Sequence, residues 1–174
     1  MHNKILVFLM NGIIGRWFFI LMNLIAIAFD VYCIRFMIEV MMRGGDHATD
    51  HGFEEINVTL NGIGGVLIAL GVLMESRITI MKMTEKPIDD LQHHLNESAE
   101  YCGMGLLLIG LFIEIFAVFI EVPNAVVNTK GIEIYLYSCC IFLIIISLII
   151  EYAYIKDTIK SYFKTPPRIE ATHE

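Results

Sequence analysis

The chain has 174 residues, of which 56% are hydrophobic and 18% are charged, and its mean hydropathy is +0.66. This composition excludes an ordinary water-soluble domain, because such domains do not carry several long apolar runs. The net charge of −7 gives no electrostatic reason to expect a nucleic acid partner. We therefore expect an integral membrane protein that contacts lipid and binds no nucleic acid.

The apolar segments, taken in chain order, predict an all-α fold. The first, residues 5–14, is too short to span a bilayer, so we predict a short interfacial helix there. Four longer segments follow, each long enough for a hydrocarbon layer of ~30 Å. We predict a bundle of four transmembrane helices, with spans at about residues 17–42, 56–83, 97–122 and 132–155. The bundle forms one domain, residues 1–164, and a polar tail follows at residues 165–174.

Basic residues are distributed unevenly between the two sides of this predicted bundle. Nine lysines and arginines fall on the side that holds both termini, and two, Arg43 and Lys130, fall on the other. Segments rich in lysine and arginine stay in the cytoplasm. We therefore predict cytoplasmic N- and C-termini, and we expect the membrane to be the bacterial inner (plasma) membrane.

Small residues recur at intervals of seven in the second and third predicted spans. Small side chains let two helix backbones approach closely, which is how many membrane helices associate. We therefore predict that these residues pack helix against helix: Gly64, Gly71, Gly103, Gly110 and Ala117.

Two carboxylates lie deep in the predicted spans. Asp30 is thirteen residues beyond Trp17 and Glu114 is thirteen beyond Tyr101, which places both at ~20 Å from the cytoplasmic face. A carboxylate in hydrocarbon must be paired, hydrated or protonated. One hypothesis is a proton or cation pathway through Asp30 and Glu114, with Glu75 and Glu151 at its cytoplasmic mouth. The alternative is a buried hydrogen bond that only fixes the register of the helices.

A polar loop between the first two spans contains a second group of candidate ligands. Asp46, His47, Asp50 and His51 form an H-x-x-x-H pattern with an acid before each histidine. On one helical turn both imidazoles would share a face, as zinc or copper ligation requires. The alternative is a solvated loop without metal.

A third group, His93, Glu97 and Glu100, shares one helical face beside the third span. Carboxylate-bridged metal sites in bundles use Glu-x-x-His pairs, whereas the order here is reversed. We interpret this segment as an exposed helix next to the membrane.

No sequence motif identifies a reaction. The chain has no C-x-x-C pair, phosphate-binding loop, nucleophile elbow or H-E-x-x-H motif, so we predict no catalytic residue and no cofactor beyond possible zinc or copper. The leading expectation is a non-catalytic accessory or structural subunit of a larger membrane complex, or a homo-oligomer. Its partners would be lipid and other membrane subunits or further copies of itself. The alternatives are ion translocation and metal binding, as described above.

Overall fold

The structure is a computed structural model, and its described residues are 16–47, 50–77, 79, 90–121 and 132–163. Within them, side chains are described for residues 17–42, 54–77, 79, 93–121, 132 and 134–161. The predicted interfacial helix at 5–14 and the polar tail at 165–174 lie outside the described residues.

Four long helices make up the described part of the chain. They are α1 (Arg16–His47), α2 (Asp50–Glu75), α3 (Asp90–Glu121) and α4 (Glu133–Phe163). Each contains a segment of 22 to 29 residues with a mean hydropathy of 1.9 to 2.5. The prediction of an all-α protein with four helices long and apolar enough to cross a membrane is therefore confirmed.

The helices differ in length from the predicted spans. The polar loop expected between the first two spans is largely helical, because α1 continues to His47 and α2 begins at Asp50. Carboxylates at Glu54 and Glu55 lie near the N-terminus of α2, where negative charge favours a helix. At its other end α2 stops at Glu75, and the amide of Ser76 still donates to Val72 O at 2.9 Å. Residues 77 and 79 are helical, and residues 80–83 of the predicted span lie outside the described residues.

Each helix packs against two others, so that the four close a ring in chain order. The neighbours are α1 with α2, α2 with α3, α3 with α4, and α4 with α1, and the contact of α2 with α3 is the most extensive. Gly71 lies against Gly103 while Gly64 lies against Gly110, so these two helices are antiparallel. In this ring, α1 and α3 are diagonal to each other.

Buried positions on α1 alternate intervals of three and four residues, and so do those on α4 apart from Ile155, whereas α2 and α3 bury broader faces that include adjacent residues such as Ile63 and Gly64. On α1 they are Phe19, Asn23, Ala26, Asp30, Cys33 and Met37. On α4 they are Tyr137, Cys140, Ile144, Ser147, Glu151, Tyr154, Thr158 and Ser161. This mean spacing of 3.5 is typical of helices that pack side by side at small crossing angles. Large apolar side chains on the opposite faces, such as Leu24, Phe112 and Phe142, are exposed, as suits contact with lipid.

Glycines allow α2 and α3 to touch along their backbones. A β-carbon built on Gly71 would lie 2.6 Å from the carbonyl oxygen of Gly103, and one built on Gly110 would lie 2.8 Å from Gly64 O. Real β-carbons essentially never approach a backbone oxygen so closely. The close approach of these two helices therefore requires glycine on both sides. Ala117 is fully buried one further heptad along α3.

Candidate functional site

A cluster of polar side chains is buried in the half of the bundle where α1 begins and α4 ends. We call this cluster the buried polar centre; its members are Asn23, Asp30, Arg77, Ser147, Glu151 and Tyr154. None of the six is more than 1% exposed. The inward spacing of α1 and α4 explains the burial of the five members on those helices, because each falls on the same face as apolar core residues, and Arg77 continues the buried face of α2 beyond Met74. Burial of a polar group without a hydrogen bond costs free energy of folding, so the hydrogen-bond partners of each member are described in turn.

Asp30 of α1 is joined to Ser147 of α4. The Ser147 hydroxyl donates to Asp30 Oδ2 at 2.6 Å, and the same hydroxyl lies 2.8 Å from the carbonyl oxygen of Ile144. The second carboxyl oxygen, Oδ1, is buried with no hydrogen-bond partner among the described residues. The two helices are therefore linked at this level by one short hydrogen bond.

Glu151 lies one helical turn beyond Ser147 on the same face of α4. It is fully buried, and within the described part of the chain neither of its carboxyl oxygens has a hydrogen-bond partner. Glu151 and Asp30 are close enough to interact electrostatically. Two neighbouring carboxyl groups resist joint ionisation, and a single unpaired carboxylate in an apolar interior costs several kcal/mol. Protonation of one or both carboxyl groups, or a positive charge nearby, would remove this cost.

Asn23 lies two turns before Asp30 on α1. Its amide donates to Phe19 O at 2.8 Å and approaches the sulfur of Met74 on α2 at 3.8 Å. Its Oδ1 atom is buried and lacks a hydrogen-bond donor among the described residues. Asn23 thus adds an acceptor oxygen to the interior between Asp30 and the end of the bundle.

Arg77, just beyond the end of α2, closes that end of the buried polar centre. One guanidinium nitrogen, Nη1, donates to the Tyr154 hydroxyl at 3.3 Å, and Cζ lies 5.0 Å from the centroid of the Phe19 ring. Such a distance is typical of a cation–π interaction. Through these contacts Arg77 links the end of α2 to both α1 and α4.

The structure does not bring Asp30 and Glu114 together. They lie on the diagonal helices α1 and α3, and Glu114 is half-buried over Gly64 of α2, where a β-carbon would meet Glu114 Cγ at 2.8 Å. Gly105 of α3 lies against Ile150 of α4. Three residues from this contact along each helix, Ser147 lies about level with Leu108, and Asp30, which is hydrogen-bonded to Ser147, lies at the same level. Glu114 is six residues further along α3, which is about 9 Å. Asp30 and Glu114 therefore do not lie at the equal depths expected from counting along each span separately, because the packing between helices sets their register.

Glu75 and Glu151 were expected to share the mouth of a pathway. Glu75 is exposed at the end of α2, whereas Glu151 is fully buried. The inward face of α4 accounts for this difference, because Glu151 is four residues from Ser147 and three from Tyr154. Of the residues predicted for an ion pathway, Asp30 and Glu151 are the two that the structure brings together.

Both groups predicted from histidine spacing lie away from this centre. Asp46 and His47 belong to the last turn of α1, and Asp50 and His51 to the first turn of α2, but their side chains lie outside the described residues. Zinc or copper binding there stays a prediction, which metal analysis of protein with and without the two histidines would test.

The second histidine group lies on α3. His93, Glu97 and Glu100 are exposed, in keeping with an exposed helix next to the membrane. Across all described side chains, no group of three or more histidine, cysteine, aspartate or glutamate residues is arranged to hold a metal ion.

Sequence reasoning missed the roles of Ser147 and Arg77. The available signal was the three-and-four spacing, which puts Ser147 and Glu151 on one face of α4 and extends the buried face of α2 from Met74 to Arg77.

No protein-family model matches this chain, and no curated protein or solved structure matches it.

Proposed function

We propose that this chain is an integral membrane protein that binds and translocates a proton or a small cation at the buried polar centre. The observation that carries the proposal is Glu151, whose fully buried carboxyl group has no hydrogen-bond partner on either oxygen among the described residues. A buried acid in a membrane interior is costly, and such residues commonly mark ion pathways. The proximity of Asp30 supports a shared ion rather than an isolated acid.

The roles of the individual residues follow from their contacts. Asp30 and Glu151 are the ion-binding groups, and Ser147 orients the Asp30 carboxyl group through its 2.6 Å hydrogen bond. Asn23 offers a further acceptor oxygen, and Arg77 with Tyr154 closes the end of the bundle. Glu114 and Glu75 are assigned no role in this pathway, because one lies over the α2 glycines and the other is exposed.

The distribution of basic residues supports an orientation for this site. With both termini in the cytoplasm of a bacterial cell, the buried polar centre occupies the cytoplasmic half of the bundle. The ion would then exchange with the cytoplasm through the end closed by Arg77.

Ion flux into proteoliposomes tests the proposal directly. The variants are Asp30→Asn and Glu151→Gln, which keep the size of each side chain but remove its acid, and the matched control is the exposed Glu75→Gln. We expect wild-type protein and Glu75→Gln to move protons or a monovalent cation, and the two interior variants to lose most of that flux. Circular dichroism and gel filtration establish that each variant is folded. Flux that is unchanged in both interior variants, or absent from wild-type protein, would contradict the proposal.

A second candidate function is the one expected first from the sequence, an accessory or structural subunit or a homo-oligomer. The observation that favours it is Arg35, which is exposed on α1 inside the apolar segment Trp17–Met42. A guanidinium group that faces lipid is costly, so an acidic group on another membrane protein or a second copy would stabilise it. On α2, Gly65 and Ala69 are also exposed and would admit a neighbouring helix closely.

The particle size in mild detergent separates this second function from the first. We expect a particle larger than a monomer, and we expect Arg35→Leu to reduce it to the monomer. A folded wild-type protein that is monomeric at every concentration would exclude self-association, and a native membrane extract without copurifying subunits would exclude the accessory role.

A further inference from the structure

We infer that the ion held at the buried polar centre is a proton, carried by Asp30 and Glu151, and that it enters from the end of the bundle where α1 begins and α4 ends. The inference rests on the proposed function and names its ion and its route. Three features of the described residues carry it: the hydrogen-bond count at Ser147, the spacing of the acceptor oxygens, and the direction in which polar side chains continue.

The Ser147 hydroxyl has one proton and two acceptors. Its oxygen lies 2.6 Å from Asp30 Oδ2 and 2.8 Å from Ile144 O, and both distances are those of O–H···O hydrogen bonds. One proton can make a full, well-aligned hydrogen bond to only one of these acceptors. Both are satisfied when the Asp30 carboxyl group is protonated and donates to Ser147, while Ser147 donates to the backbone carbonyl. The arrangement therefore suits an Asp30 that holds a proton.

The residues that carry the acceptor oxygens of the centre are spread along the bundle axis. Asn23 and Asp30 are seven residues apart on α1, which is ~10 Å along the helix, and Glu151 is one turn, ~6 Å, from Ser147 on α4. A hard metal cation needs about six oxygen ligands around one position. Acceptor groups spaced along the bundle axis can bind a proton in turn, because a proton needs only one acceptor at a time.

Polar side chains continue from Asp30 toward one end of the bundle. On the inward face of α4 they follow one another at intervals of three or four residues: Ser147, Glu151, Tyr154, Thr158 and Ser161. In the other direction the buried side chains of α1 beyond Asp30 are Cys33 and Met37, and the next on α4 is Ile144. A proton released by Asp30 therefore has Glu151 as its next acceptor, and Glu151 in turn exchanges its proton with water beyond the Arg77–Tyr154 pair.

Charged and titratable groups near the two acids come from several elements. Cys33 on α1 interacts electrostatically with Asp30, and Arg77 after α2 and Cys102 on α3 interact with Tyr154, which is three residues from Glu151 on α4. Arg77 is the cation of this set, and it is engaged with Tyr154 and the Phe19 ring. Protonation of both acids leaves the centre with the single charge of Arg77.

Infrared difference spectra between wild-type protein and each variant, recorded on the full-length protein in lipid nanodiscs, test whether the ion is a proton. We expect C=O stretching bands of protonated carboxyl groups at neutral pH, one lost in Asp30→Asn and another lost in Glu151→Gln. The exposed Glu75→Gln is the matched control and should change neither band. Ser147→Ala should move the Asp30 band to higher frequency, because the carboxyl group loses a hydrogen bond. Replacement of Na⁺ by K⁺ or choline should leave the bands unchanged.

The outcomes separate this inference from the proposed function. Bands that disappear in Na⁺ and return in choline would show that a metal cation displaces the proton, so the inference falls and ion binding stands. Absence of the bands in every medium overturns the inference whether or not ion flux is found, and absence of flux overturns the proposed function independently.

Exchange into D₂O tests the route. We expect the Asp30 band to shift several-fold more slowly in Glu151→Gln than in wild-type protein or in Glu75→Gln, because the intermediate acceptor is lost. An equal exchange rate in all three proteins would overturn the route through Glu151. Circular dichroism and gel filtration again establish that the variants are folded.

Discussion

Replacement of Gly71 by alanine tests the packing of α2 against α3. The added β-carbon would lie 2.6 Å from Gly103 O and 2.7 Å from Leu107 N, both backbone atoms that cannot rotate away. Because ordinary contacts begin near 3.4 Å, the helices would have to separate by about 0.8 Å at this point. Overpacking of this kind costs about 2–3 kcal/mol, and the higher helix propensity of alanine offsets about 1 kcal/mol. We expect Gly71→Ala to be less stable by about 1–2 kcal/mol.

Gly62→Ala is the matched control, on the same helix and with the same chemical change. Its new β-carbon would have Phe29 Cζ as its nearest neighbour at 4.0 Å, so we expect unchanged or slightly increased stability. Thermal unfolding in detergent, followed with a thiol-reactive fluorophore, reports exposure of the buried Cys33 and Cys140. A difference of about 2 kcal/mol between the variants corresponds to about 4–8 °C in Tm for a chain of this size. Equal Tm values, or a higher one for Gly71→Ala, would refute the reasoning.

Two further predictions concern the links across the buried polar centre. Ser147→Ala should lower the free energy of unfolding by about 1–2 kcal/mol, because Asp30 loses its hydrogen-bond partner. The exposed Ser138→Ala is the control and should change the free energy of unfolding by less than about 0.5 kcal/mol. The same unfolding assay measures both variants, and similar losses in the two would contradict the prediction. A double-mutant cycle of Arg77→Met and Tyr154→Phe should give a coupling energy of about 1 kcal/mol for their hydrogen bond, and a value near zero would show that the 3.3 Å contact does not stabilise the bundle.

The predicted α2–α3 packing faces illustrate what a repeat in the sequence can reveal. Gly64 and Gly71 recur at seven residues, as do Gly103 and Gly110, and in the structure each pair lies against the other. This could be foreseen because a seven-residue interval returns to the same helix face, and the smallest side chains mark where another backbone comes near. Burial on α4 follows the same rule.

The partners of Asp30 could not be foreseen in this way. Its hydrogen bond to Ser147 joins residues 117 positions apart, and it depends on α1 lying beside α4 rather than beside α3. Counting depth along each span placed Glu114 level with Asp30, whereas the contacts between helices put them about 9 Å apart along the bundle. An error of a few residues in register is enough to replace one partner by another.

The sequence by itself determined that four apolar helices form, since the length and hydropathy of each segment are properties of that segment alone. It also marked the faces with small residues and those with acids. Only the tertiary structure decided that Glu151 is buried while Glu75 is exposed, and that Arg77 points between α1 and α4. The physical reason is that the rotation and register of each helix depend on the packing of all four together. Hydropathy, which acts on one segment at a time, specifies neither.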